Sequence, residues 1–92
     1  MKEIWKYELI LEDYNIVSLP KGAKPLSVQV QGENTDHVRM WCLINLNEEE
    51  YEERVFRVVG TGYSIKDENI VYIDTFQLYN GSFVGHVFEV IR

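Results

Sequence analysis

The chain has one cysteine, Cys42, so no intrachain disulfide can form. A lone thiol suits a reducing compartment such as the cytoplasm. Basic residues are few: nine Lys and Arg stand against fifteen Asp and Glu, and the net charge is −6. The basic positions are also dispersed along the chain. Nucleic-acid affinity rests largely on clustered cations at phosphates, so no nucleic-acid partner is expected. There are two histidines, His37 and His86. With Cys42 they make no CxxC, HxH or HExxH spacing, so no metal and no cofactor are expected. No apolar run approaches the roughly 20 residues of a membrane helix. The opening MKEIWKYELILED alternates too strictly, and carries too much charge, for a signal peptide. No segment has a convincing amphipathic helical period.

What remains is rich in strand-formers. Six Tyr, four Phe and two Trp accompany 46% hydrophobic and 26% charged residues. That composition gives one globular domain over residues 1–92. Residues 3–12 alternate, with Trp5, Tyr7, Leu9 and Leu11 on one side. A turn at 13–15 leads to a short return over 16–19 and a loop over 20–25. Leu26, Val28 and Val30 alternate with Ser27, Gln29 and Gln31. Val38, Met40, Cys42, Ile44 and Leu46 form one face of the next strand. Trp41 and Leu43 on its other face mark this strand as central. The acidic run 48–53 reads as a solvated loop or one loose turn, although a cation or basic partner could sit there. Residues 54–59 alternate again, 60–62 break the strand, and 65–69 can form one helical turn. The expectation is an all-β fold: a small antiparallel sheet curled into a sandwich or barrel, of about five or six main strands with at most one short helical turn.

Asn80-Gly81 lies between two alternating runs and predicts a type I′ hairpin, whose turn needs positive φ at both central residues. Counting outward, Tyr79 faces Ser82, Leu78 faces Phe83, Gln77 faces Val84, Phe76 faces Gly85, Thr75 faces His86, Asp74 faces Val87 and Ile73 faces Phe88. One face then holds Tyr72, Asp74, Phe76, Leu78, Phe83, Gly85 and Val87. The other holds Ile73, Thr75, Gln77, Val84, His86 and Phe88. The Phe76 ring can lie over bare Gly85 backbone. Asp74 is expected to answer a basic partner such as Arg57 or Arg39.

The candidate contact residues are Trp41, Gly60, Thr61, Gly62, Tyr63, Thr75 and His86. Gly60-Thr61-Gly62 lacks the further glycines and the Lys-Ser/Thr of a phosphate loop, so a tight turn or bulge is the default reading. His86, opposite Thr75 and diagonal to Gln77, would need a nucleophile and an orienting partner to act as a base. A hydrogen-bonded structural histidine is its default reading. No catalytic residues are assigned and no enzyme activity is expected.

Five blocks in order, PKGAKPLSVQVQ (20–31), VRMWCLIN (38–45), GTGYSI (60–65), YIDTFQ (72–77) and GHVFE (85–89), resemble a family of small, uncharacterised proteins of tailed phages and prophages. The resemblance covers nearly the whole chain. It implies a phage accessory product in the cytoplasm of an infected or lysogenic bacterium, and supplies no activity, cofactor or catalytic residue. Many members carry a histidine where this chain has Tyr63. Together the observations point to a protein that acts by binding. The first reading is a host or phage protein docked on an aromatic patch with Trp41 or Tyr63. The alternative is a small nucleotide-like ligand, with Gly60 and Gly62 offering N–H groups to an anion and Tyr63 stacking on a ring. A homodimer is also expected. Strand 26–31 bears no charge to deter edge pairing, so a second copy would cover it.

Overall fold

The computed structural model describes residues 1–32 and 37–92. It is all-β, with seven strands: β1 (Lys2–Leu9), β2 (Tyr14–Pro20), β3 (Lys24–Val30), β4 (Val38–Asn45), β5 (Tyr51–Gly60), β6 (Ile70–Leu78) and β7 (Phe83–Val90). They form two antiparallel sheets, ordered β1-β4-β3 and β2-β5-β7-β6. The sheets pack face to face without closing, so the sandwich and not the barrel is realised. Seven strands exceed the five or six expected. The 14–20 segment is a full strand, and β5 begins inside the acidic run instead of after it. The 65–69 segment forms no helical turn, and the one short 3₁₀ turn spans Tyr79–Gly81.

β4 is central in its sheet, as its pattern indicates. Val38, Met40, Cys42 and Ile44 are fully buried while Arg39, Trp41 and Leu43 are half-buried on the outer side. Leu46 falls beyond the strand end and is exposed, so it leaves the expected face. Facing β4 across the core are Phe56 and Val58 of β5, Val87 of β7, and Phe76 and Leu78 of β6. Each such side chain contributes roughly 1.5–3 kcal/mol by leaving water. Burial also lifts the Cys42 thiol to a pKa of about 11, with Arg54 pulling it down and Glu89 pushing it up.

The hairpin register holds from Leu78–Phe83 to Asp74–Val87, while Tyr79 and Ser82, expected to face each other as strand residues, lie in the turn, Tyr79 at φ 52. Ser82 N–H donates to Tyr79 O at 3.1 Å, closing the turn around Asn80 (φ 56, ψ 35) and Gly81 (φ 87), as a type I′ turn requires. Phe76 does lie over Gly85: a Cβ there would land 2.7 Å from Cε1 of the ring. Beyond Asp74 the register shifts by a bulge at Ile73, and Tyr72 pairs with Phe88. The extra residue moves Tyr72 to the outer face and turns Ile73 toward the core, which reverses their expected positions. A second bulge, at Leu26 in β3, likewise leaves Leu26 exposed.

These two bulged strands run along each other where the sheets meet. Asp74 Oδ2 accepts the Val28 N–H at 2.8 Å and Oδ1 accepts the Thr75 N–H at 2.8 Å. Asp74 therefore caps backbone donors and does not pair with Arg57 or Arg39. The uncharged β3 edge is covered by β6 of the same chain, so it needs no second copy. A further polar tie lies inside the sandwich. Arg54 Nε and Nη2 donate to the two Glu89 oxygens at 2.6 and 2.7 Å, and Nη1 donates to Ala23 O just before β3.

Candidate functional site

β6 lies beyond β7 in the four-stranded sheet, so the 61–69 connection from β5 must cross the outside of β7. It starts with a turn. Tyr63 N–H donates to Gly60 O at 3.2 Å, and Gly62 has φ +90° while Thr61 does not have positive φ. That is the type II pattern, which needs glycine at the third position. Thr61 N–H donates to Val84 O at 3.2 Å. The N–H groups of Thr61 and Tyr63 are thus committed within the chain. Gly60 has its own reason to be glycine: a Cβ there would sit 3.0 Å from the Tyr63 ring.

Further along, Asp67 anchors the crossing. Tyr14 OH donates to its carboxylate at 2.9 and 3.1 Å, and Arg57 Nε lies 3.3 Å from Oδ2. The Arg57 guanidinium also stacks 5.0 Å from the Tyr14 ring centre. The bond to Asp67, with some desolvation, raises the Tyr14 phenol pKa against the lowering pull of Arg57.

Under this crossing, on the outer face of β7, sits His86. Its Nε2 is 2.7 Å from Thr61 Oγ1 and its Nδ1 is 3.0 Å from Thr75 Oγ1. Thr75 Oγ1 is in turn 2.6 Å from Tyr72 OH. A neutral imidazole donates through one nitrogen and accepts through the other, so both hydroxyls are satisfied at once. The result is an unbroken chain Tyr72–Thr75–His86–Thr61. It contains hydroxyls on both sides of the ring and no carboxylate.

Val59, Gly60, Thr61, Gly62, Tyr63, Ile65, His86 and Phe88 enclose a shallow cleft of about 160 Å³. On the other side of Tyr63 a second cleft of about 360 Å³ is lined by Leu11, Glu12, Asp13, Arg57 and Phe83 among others. Tyr63 is the shared wall and is 75% exposed. Phe88 is steadied by an edge-to-face contact with Tyr72 at 5.6 Å.

Of the seven residues marked in the sequence, Gly60, Thr61, Gly62, Tyr63 and His86 line the small cleft, and Thr75 holds His86 from behind. Trp41 is not among them. It lies on the outer side of the other sheet, half-buried with Lys6 Nζ 5.6 Å above its ring. Sequence reasoning missed Tyr72, because only the bulge brings it to this face. It also missed Ile65, in the segment read as a helical turn. Phe88 was legible, sharing the period-two face of His86. His37 is elsewhere, 3.3 Å from Glu8. Among the described residues no three His, Cys, Asp or Glu converge as a metal site, and no helix is long and apolar enough to cross a membrane.

Residues 1–92 match a family described as a domain of unknown function, DUF7352. The chain belongs to that family. No curated protein and no solved structure matches it. An uncharacterised family spanning the chain was expected from the five sequence blocks, and the match covers cleft and sandwich together. The family description names no activity, so the chemistry of the cleft carries the functional argument.

Proposed function

We propose that this protein acts by binding, and that its ligand is a small, uncharged, ring-bearing molecule held in the cleft between the 60–65 crossing and β7. The carrying observation is the cleft itself: an exposed Tyr63, apolar Ile65 and Phe88, and His86 fixed between two hydroxyls. Such pockets pair an apolar, aromatic lining with a few fixed polar groups that orient the ligand. Its volume of about 160 Å³ is close to the roughly 150 Å³ that admits one benzene ring. Thr61 and His86 can exchange their mutual bond for bonds to a heteroatom at the ring edge. A phosphate has less support, since the Thr61 and Tyr63 N–H groups are engaged and Glu12 and Asp13 flank the adjoining cleft. The ligand class is therefore nucleoside-like without the phosphates.

A host or phage protein docked on an aromatic patch is supported less well. Trp41 and Tyr63 lie on opposite outer faces, so a patch would hold one of them, and Trp41 is half-buried with Lys6 Nζ over its ring. On the resemblance to tailed-phage and prophage proteins, the chain is a phage accessory product working in the host cytoplasm.

Nuclear magnetic resonance titration tests the binding reading, with adenosine, uridine, nicotinamide and indole as probes and adenosine monophosphate as the charged control. Amide shifts at Thr61, Tyr63 and His86 should respond to at least one uncharged probe and less to the monophosphate. Tyr63→Ala and His86→Ala should each weaken that response about tenfold, near 1.4 kcal/mol, while Trp41→Ala leaves it unchanged. Silence from all uncharged probes at millimolar concentration would remove the proposal.

A further inference from the structure

The four strand edges of the sandwich are not equally protected. In an antiparallel ladder, alternate residues turn their backbone groups toward the partner strand and the rest turn them away. The bond from Leu46 N–H to Met1 O sets the β1–β4 ladder so that odd residues of β1 face β4. The free edge of β1 then presents Lys2, Ile4, Lys6 and Glu8, three of them charged. Charge on an edge deters strand addition. The β3 and β6 edges meet each other, joined through Asp74. β2 is different. The bond from Val58 N–H to Asp13 O sets its ladder with β5, so that Asn15, Val17 and Leu19 face β5. The backbone groups of Tyr14, Ile16 and Ser18 point outward, and none of β2's seven residues is charged. Ile16, in the middle, is 64% exposed.

We propose that β2 pairs with β2 of a second copy across a two-fold axis, joining two four-stranded sheets into one. The occupant follows from self-complementarity. In a two-fold antiparallel pair, the numbers of facing residues have a constant sum, and outward groups must meet outward groups. Centring the axis at Val17 makes Ile16 face Ser18 of the second copy and lets that pair exchange both N–H···O bonds. Tyr14 then faces Pro20 of the second copy, which has no N–H and whose O already accepts the Ala23 N–H at 3.0 Å, so the ladder rests on the two Ile16–Ser18 pairs. The same register sets Asp13 opposite Lys21 of the second copy at both ends. Their side chains are 82% and 61% exposed and opposite in charge, each with a partner in its own chain, Arg57 at 3.3 Å and Glu50 at 3.6 Å, that it would share across the axis. Shifting the axis to Ile16 would instead face Asp13 with Leu19, so charge selects the first register. The net charge of −6 per copy opposes association only weakly at about 0.15 M salt, where charges beyond about 8 Å are screened.

Sedimentation velocity from micromolar to millimolar concentration, with amide exchange at both ends of the range, tests this. The expected result is a shift from 10.9 kDa toward twice that mass, with the amides of Tyr14, Ile16 and Ser18 gaining protection. Ile16→Lys, a surface change, should raise the dissociation constant at least about tenfold. Asp13→Lys and Lys21→Asp should each weaken the dimer, and the double variant should recover it while circular dichroism stays unchanged. A monomer at every concentration overturns the proposal. So does a dimer that Ile16→Lys leaves intact, or one that the double variant fails to recover.

Discussion

The two long flanks of this sandwich end in opposite ways. On one, β3 and β6 lie along each other, each bulged, and Asp74 crosses the gap to cap the Val28 N–H. On the other, β1 and β2 end their sheets without a strand beyond them. β1 is defended by charge and β2 is not. The flanks are built from similar strands, so hydrophobic pattern does not explain the contrast. A single carboxylate, placed by the regular register of the β6–β7 hairpin, does. Polar groups between the sheets decide which edges are closed, while apolar packing decides only that there are two layers.

The most damaging way to break the comparison removes the tie inside the sandwich. The Arg54 and Glu89 side chains are 16% and 11% exposed. Glu89 bonding raises the Arg54 pKa against the lowering effect of desolvation, so the guanidinium stays charged. Arg54→Met strands the Glu89 carboxylate between the sheets and should cost about 3 kcal/mol or more. Urea unfolding measures it. The double variant Arg54→Met/Glu89→Leu should recover most of the loss, because an apolar pair of similar volume is often neutral. If the single variant unfolds like the parent, water reaches Glu89 and the tie is not structural.

A smaller loss should follow from making the closed flank resemble the open one. Asp74→Ala leaves the Val28 and Thr75 N–H groups without their acceptor and should cost about 1–3 kcal/mol. The signature is local: amide exchange at Val28 should accelerate more than at Met40 on the adjacent central strand. Equal acceleration at both would mean that the flank opens only with the whole molecule.

Much of the framework was legible from residue order. The Asn80-Gly81 dipeptide placed five facing pairs of the hairpin correctly, and strict alternation placed Cys42 and Met40 inward on a central strand. The same period-two logic put Thr75, His86 and Phe88 on one face, which is the strand floor of the candidate site. The bulges at Leu26 and Ile73 were not legible, because one extra residue leaves no mark in composition. Tyr72 was missed for that reason and Asp74 was given the wrong partner. Arg54 and Glu89 are 35 positions apart, and only strand order brings them together. Trp41 was grouped with Tyr63 because sequence cannot say which outer face belongs to which sheet.

The smallest effect comes from Cys42, which reports on both flanks at once. On β4 it is paired with Trp5 of open-flank β1 and Pro25 of closed-flank β3. Burial holds the folded thiol near pKa 11, against an ordinary 9.0. The unfolded thiol ionises first as pH rises, so between those values the folded state binds more protons. Stability therefore falls as pH rises through that window. By about pH 10 the loss attributable to this thiol should reach about 1 kcal/mol. Tyr7 nearby also has a pKa raised, by burial first and then by the charge of Cys42, so Cys42→Ala removes that coupling together with the thiol. The difference between the parent and Cys42→Ala reports the thiol together with its coupling to Tyr7. Urea unfolding at steps from about pH 7 to pH 10 should show a steeper decline for the parent. Parallel declines would mean that the folded thiol ionises normally, with water reaching it past Trp5. The β1 side would then be open to the core and not only at its edge.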